Sequence, residues 1–408
     1  MPNDRLSAAL TAHVATLEDA GTAKGAESVV VGVEPPSGDR GPRFTLAGQG
    51  EREFIRMNSN SYLGMSMRPD IIGAEEEAAS RYGAGPGAVR FISGTYRPHV
   101  ELERKLAAFH GREAGMIFSA AYATIMGTVV PLVTGETTII SDELNHNCII
   151  NAVRLSRPLD KGIYPHLDMG ELERQIEAAK GKAKRVLVIT DGIFSMRGDH
   201  APVDKIMEIA RRHDDAFEEN VVVLVDDSHG VGALGATGRG TEEYTGAEPV
   251  DVLVGTLGKA FGVNGGYVVG NEALVRFLRE SAPFYIYSNP ITASEASAAT
   301  KALEILDSEE GRALLDKLRA LTRRFEQGLG DLGLETIPGE HPVVPLMVRD
   351  TERTRALVKH LFDNGVLATG LAYPVVPRGD EEIRFQINAD HTEADIDAVL
   401  AVLGSAPQ

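Results

Sequence analysis

The sequence predicts an α/β fold, with a large domain on a mostly parallel sheet covered by helices and a smaller α+β domain at the C-terminus. Three observations carry this expectation. Short, nearly continuous Val/Ile/Leu runs alternate with helical patterns through the middle of the chain, as strands covered on both faces require. Polar and charged residues follow directly on the ends of several runs, where open α/β sheets collect their ligands. After Tyr285 the texture changes to a long amphipathic stretch and then to a short mixture of strand and helix patterns. The boundaries drawn are an N-terminal segment over 1–57, a large domain over 58–291 and a small domain over 292–408.

Taken in order, Glu34–Glu51 is rich in Gly and Pro and reads as an irregular connection. Strands are expected at Met116–Ala120, Thr137–Ser141, Arg185–Thr190, Val221–Asp226, Asp251–Thr256 and Gly266–Gly270. Helices are expected from His99 to a stop at Gly111, and over Val203–His213. From Thr292 one helical stretch continues through Leu314, Leu318, Leu321, Phe325 and Leu329, a stripe that reads as core packing. A strand at Val343–Val348, a helix near Thr354–Asn364, a strand at Glu382–Asn388 and a last helix complete the small domain.

Composition narrows the function classes. The 408 residues carry a formal charge of −18, which repels nucleic acid and anionic lipid and makes both poor partners. The only cysteine, Cys148, forms no internal disulfide, and no Cys/His cluster has metal-site spacing, so no metal is expected. The first residues lack a signal-peptide layout, and no apolar run approaches a bilayer span. A reducing compartment, by default the cytosol, is the expectation.

Gly230-Val-Gly232-Ala-Leu-Gly235 matches G-x-G-x-x-G and follows the run VVVLVD, as a dinucleotide fingerprint does. The residues beyond it, ATGRGTEEY, make a poor helix start, and without a helix N-terminus a pyrophosphate loses its donors. The same segment reads better as VDDSHG, with Asp226 at a strand end and His229 in the loop beyond. A second strand, DVLVGT, runs into TLGKAFG. A lysine among small residues at a strand end admits a flat ligand, and a partly desolvated amine suits Schiff-base formation. A carboxylate, an imidazole and a lysine at strand ends are what pyridoxal phosphate (PLP) requires, since the carboxylate keeps the pyridine nitrogen protonated.

TDGIFSMRGD, VDDSHGVGALGATGRG and GTLGKAFGVNGGY, in this order, resemble the α-oxoamine synthase family of fold-type I PLP-dependent transferases. RFISGT, SDELNHN and TGLAYPVVPRG with IRFQINADHT extend the resemblance from NSNSYLGM to the C-terminus, and the last two look nearest to glycine C-acetyltransferase. The resemblance implies that Lys259 holds PLP as a Schiff base, that Asp226 pairs with the pyridinium nitrogen, that His229 meets the phenolic oxygen and that His146 stacks on the ring. It implies backbone N–H groups of Tyr122 and Ala123 and the hydroxyl of Thr256 for the phosphate. Ser288 would complete the site of a partner subunit in a homodimer with shared active sites. Asn60, Ser195 and Arg384 match positions that hold the amino acid or its thioester partner, and Ser195 and His146 are placed to meet a developing oxyanion or carboxylate. A planar guanidinium at Arg384 suits a carboxylate; an ion pair with Glu381 or Glu382 is the alternative.

The implied reaction condenses a small amino acid, glycine favoured, with an acyl-CoA or carrier-protein thioester. A fold-type I aldolase or aminotransferase that needs no thioester is the alternative. The match departs from the family pattern at Ile125, where relatives often carry asparagine, at Arg197, where an aspartate is usual, and before Arg43, where no family pattern is matched; the Phe261–Gly266 loop looks more like aminolevulinate or oxononanoate synthase than like glycine C-acetyltransferase.

Overall fold

The computed structural model describes residues 3–373, 376 and 378–406. The chain forms two compact units, one from residues 1–59 and 320–408, the other from residues 60–319.

The first unit begins with a helix, Asp4–Asp19, in which no residue is buried. Strands β1 (Val30–Glu34), β2 (Arg43–Leu46) and β3 (Glu53–Arg56) follow as an antiparallel meander. β2 corrects the expectation of an irregular Glu34–Glu51. Phe44 and Leu46 alternate inward, but two turns of a period-two pattern are too few to stand out among glycines and prolines.

The second unit carries β4 (Ala114–Phe118), β5 (Thr137–Asp142), β6 (Asp160–Tyr164), β7 (Arg185–Asp191), β8 (Val221–Asp226), β9 (Val252–Thr256) and β10 (Gly266–Gly270). They form one sheet in the order β4-β10-β9-β8-β7-β5-β6. β10 runs antiparallel to both of its neighbours, and the strands from β9 to β6 pair in parallel. All six expected strands are present. β6 was not expected, because this edge strand is mostly exposed and contains Asp160, Lys161 and Gly162. The helices Arg97–Phe109 and Val203–His213 fall where the sequence placed them, and Gly111 ends the first with φ 63°.

The long stretch from Thr292 is two helices, Ala293–Leu306 and Glu309–Asp331. Ser308 breaks it, donating its hydroxyl to Ile305 O at 2.6 Å and accepting from Gly311 N at 3.4 Å. A continuous apolar stripe concealed this cap.

Back in the first unit, β11 (Val343–Met347), β12 (Val366–Leu367), β13 (Thr369–Leu371) and β14 (Glu382–Gln386) complete the strands. β12 adds to β3 in parallel, and β11-β14-β13 make a separate antiparallel sheet. The last helix, Glu393–Gly404, is capped by Thr392 with Asp395 in a capping box. The Asp395 carboxylate also accepts Gly41 N at 2.8 Å and pairs with Arg43 at 2.5 Å.

Because β5, β7, β8 and β9 are parallel, their carboxyl ends lie on one edge of the large sheet. Beneath that edge Met116, Ile139, Leu187, Ile189, Leu224 and Val254 form a sealed core. Leu224→Ala would leave a cavity under the site, and we expect a loss of about 2–5 kcal/mol, read as a lower denaturant midpoint with unchanged slope.

Candidate active site

The sheet brings two carboxylates together first. Asp191 ends β7, Asp226 ends β8, and the two are register partners. Both are buried. Burial, then the neighbouring Asp226 charge, pushes the Asp191 carboxyl well above the usual range, against the pull of the His146 N–H and the Lys259 ammonium. Asp226 Oδ1 accepts Ser228 N at 3.1 Å and Ser228 Oγ at 2.6 Å. The Cys148 thiol donates to its Oδ2 at 3.7 Å.

His146 reaches this pair through the turn after β5. The Asn145 amide donates at 2.8 Å to both Ser141 Oγ and Ile189 O, and its oxygen accepts Asp191 N at 2.8 Å. Asp191 in turn accepts His146 N at 2.7 Å. His146 is the N-cap of the helix Asn147–Leu155, its Nδ1 accepting Cys148 N at 3.3 Å. The residue is exposed. Desolvation lowers its pKa; Asp226 opposes this and Lys259 adds to it.

Lys259 lies three residues beyond β9, half-buried, in the bend Gly258–Lys259–Ala260. Beside it, Thr256 opposes Gly266 in register. A side chain at Gly266 would collide with Ala121 and Thr124, so glycine lets β10 abut the N-terminus of the helix Ala121–Leu132. That helix presents the backbone N–H groups of Tyr122 and Ala123 in its first turn, a ready anion site. The Thr256 hydroxyl donates to Gly265 O at 3.2 Å and accepts Gly258 N at 3.1 Å. The Tyr122 hydroxyl points elsewhere, donating to Asn147 Oδ1 at 3.0 Å.

His229 is buried, and its Nδ1 lies 2.6 Å from the Tyr62 hydroxyl. Tyr62 has φ 34° and is also 3.5 Å from Asn60 Oδ1, which ties the NSNSYLG segment to the β8 loop. Residues 230–235, the G-x-G-x-x-G match, form turns with no helix start. Cβ atoms at Gly192, Gly230 and Gly240 would each strike the Asp227 carboxyl. Asp227 is fully enclosed, accepting Thr241 N at 2.7 Å and Thr241 Oγ1 at 2.6 Å, and burial pushes it up to about 7. Of the motif's own glycines, Gly230 packs on this acid, while a Cβ at Gly232 would strike Ala260 and one at Gly235 would strike Glu243, so close packing explains the motif without a dinucleotide.

Ser195 sits in the turn after β7, half-buried, four residues past Asp191. Ser288 is half-buried just beyond the short helix Pro283–Ile286, next to Tyr287, which is 78% exposed. Arg384 is on β14 in the first unit, paired in register with Pro345 and Thr369, while Glu381 accepts from Thr351 and Gly379 N. Within the TGLAYPVVPRG segment, Pro374, Val375 and Pro377 lie outside the described residues. Sequence reasoning passed over Tyr62, Asp191 and Asn145. Each lies inside or beside a quoted motif, but nothing in the letters says which motif member faces which.

The donor set fits PLP. A helix N-terminus suits the phosphate, a buried carboxylate at a strand end suits a pyridinium, and a lysine and an imidazole stand beside it. Among the described residues, no His/Cys/Asp/Glu group could hold a metal, and no helix is long and apolar enough to cross a membrane.

The comparisons agree. Residues 52–403 match the family described as Aminotransferase class I and II. The 8-amino-7-oxononanoate synthase of Symbiobacterium thermophilum is 41% identical over 362 residues, 88% of this chain and 89% of that one. A second from Bacillus velezensis is 38% identical over 368 residues, 90% of this chain and 91% of that one. A serine palmitoyltransferase from S. paucimobilis with a bound PLP–myriocin aldimine superposes with TM-score 0.87 at 26% identity, covering 97% of this chain and 96% of that one. The architecture is the fold-type I transferase fold, and PLP is the cofactor. The chain belongs to the aminotransferase class I and II family and, within it, to the PLP-dependent α-oxoamine synthases.

Asn145→Ala would orphan Asp191 N and Ile189 O in a buried setting. We expect a loss of about 2–4 kcal/mol from the broken network, measured by thermal or denaturant unfolding, with PLP retention falling alongside.

Proposed function

We propose that the protein joins glycine to an acyl-CoA thioester, acetyl in the first instance, with Lys259 as its central residue. The observation that carries this reading is the convergence of Asp226 and Lys259 at the ends of the parallel neighbours β8 and β9. When bound, PLP supplies an electron sink that makes the α-proton of an amino acid acidic. Asp226 would keep the ring nitrogen protonated. His229, its Nδ1 taken up by Tyr62, would have Nε2 to offer the phenolic oxygen. The Tyr122 and Ala123 N–H groups would hold the phosphate, with the Thr256 hydroxyl added once it turns from Gly265 O. The family resemblance assigns the amino acid's carboxylate to Asn60 and Arg384. Lys259 Nζ takes the α-proton, the new bond forms between the amino acid's α-carbon and the thioester carbonyl, and the thiol leaves. Ser195 and His146 donate to the oxygen on which charge develops.

Glycine is supported by the RFISGT and TGLAYPVVPRG segments. A second reading, alanine, is supported by the relatives named 8-amino-7-oxononanoate synthase. That name describes an amine on the carbon next to a terminal methyl and beside a ketone, the pattern left by joining alanine to an acyl group with loss of carboxylate. We further propose a homodimer in which Ser288 serves the opposite site. Phe91 and Ile92, each 65% exposed on the large unit, support a covered surface there. One buried, unpaired cysteine supports a reducing compartment such as the cytosol.

The test is the visible spectrum of the yellow enzyme titrated with glycine, alanine and serine, then with acetyl-CoA and longer acyl-CoAs, with free thiol as readout. Thiol release that requires both glycine and acetyl-CoA is expected, and Lys259→Ala is expected to lower it by at least about 100-fold. Release with alanine and a longer thioester alone selects the second reading. No thiol release with any pair contradicts both and leaves an aldolase or aminotransferase.

A further inference from the structure

The turn that carries Ser195 is fastened by a residue the reaction does not use. His166, in the loop after β6, has both ring nitrogens on carboxylates: Nδ1 is 3.0 Å from Asp142 Oδ1, and Nε2 is 3.2 Å from Asp199 Oδ2. Asp142 ends β5, and Asp199 closes the Ser195 turn. An imidazole that serves a carboxylate at each nitrogen must donate from both, so it carries a positive charge. The rest of the surroundings agree. Asp142 Oδ1 also accepts Leu144 N at 2.9 Å, and its Oδ2 accepts Leu167 N at 3.1 Å, with Leu167 held at φ 59°. Glu143 accepts His166 N at 2.8 Å. Phe194, next to Ser195, meets the imidazole edge to face at 4.4 Å between centroids.

On the other side, Asp199 anchors the turn from within. Phe194 N donates to Asp199 O at 2.9 Å, and Gly198 N and Arg197 N return to Phe194 O at 2.9 and 3.2 Å. Arg197, standing where relatives usually carry aspartate, donates Nε to the same Asp199 Oδ2 at 2.9 Å. Two cations thus share one oxygen of a carboxylate whose buried Oδ1 has no partner among the described residues.

We propose that His166, bridging Asp142 and Asp199, is a positioning residue that latches the 194–199 turn to the end of β5 and so fixes Ser195 for the thioester substrate. This rests on the reading of Ser195 as a thioester-side residue. Desolvation works against the charge on His166, but the two carboxylates outweigh it and raise the pKa from 6.5 to about 9. The sign follows: the latch is at full strength below pH 6.5 and is lost as pH rises through about 9. The charged groups facing the imidazole are Asp142 at the end of β5, Glu143 just after it, and Asp199 with Arg197 in the turn.

The experiment is hydrogen exchange of the 193–201 amides in the holoenzyme, followed from pH 7 to 10 and corrected for intrinsic rates, beside steady-state kinetics with glycine and acetyl-CoA. In the wild type, exchange at Phe194, Arg197 and Gly198 should rise about tenfold or more as pH passes 9, while the β7 and β8 amides stay protected. His166→Asn should show that exchange already at pH 7 and lose the pH step. It should raise KM for the thioester about three- to tenfold, with kcat and PLP affinity within about twofold. Asp199→Asn, which leaves His166 on Asp142, should reproduce the effect if His166→Asn folds poorly. A turn that exchanges identically in wild type and variants, or at all pH values, overturns the latch. If the turn loosens but Ser195→Ala leaves KM unchanged, the latch stands and the reading of Ser195 fails.

Discussion

The structure depends on the parallel pairing of β7, β8 and β9. That register sets Asp191 and Asp226 side by side at the ends of two strands whose remaining residues are almost wholly buried. Two carboxylates in that position repel each other and are starved of water, as the upward push on Asp191 shows. Such an arrangement persists when its surroundings repay it. Here the repayment comes from Ser228, the His146 N–H and the nearby Lys259 ammonium, and a pyridinium nitrogen would complete it. The demand for a cation at this spot is the physical reason to place PLP here.

Around that pair the site is built from loops whose positions are fixed by buried polar contacts. Asn145 ties the His146 turn to β7, Tyr62 ties the Asn60 segment to His229, and Asp227 fills the space that three glycines leave open. The same device recurs with His166, which joins the turn after β7 to the end of β5. The Asn145, Tyr62 and His166 ties join residues at least 24 apart in the chain, so the site exists only when the sheet is complete. Loss of one tie is therefore expected to move chemistry as well as stability.

Much of this was legible in the letters. Strands buried on both faces announce themselves as Val/Ile/Leu runs, so all six expected strands of the large sheet were found, and the polar residues at their ends pointed to the candidate site. What escaped has physical causes. β6 is an exposed edge strand with no apolar run, and β2 is too short for its alternation to show. The antiparallel direction of β10 leaves no trace in composition, since a strand buried on both faces reads alike in either direction. Lys259, Asp226 and His229 stood out because charge at a strand end is unusual. Tyr62, Asp191 and His166 did not, because their importance lies in which distant group they touch. The dinucleotide-like glycines show the converse, a pattern made by close packing against Asp227, Ala260 and Glu243.

The central claim is that Lys259 carries PLP beside Asp226. The most direct measurement is borohydride reduction of the purified enzyme followed by peptide mass mapping of the reduced pyridoxyl group. The account predicts one modified peptide, with the mass increment on Lys259. An increment on another lysine, or none in an enzyme that remains active, would contradict it.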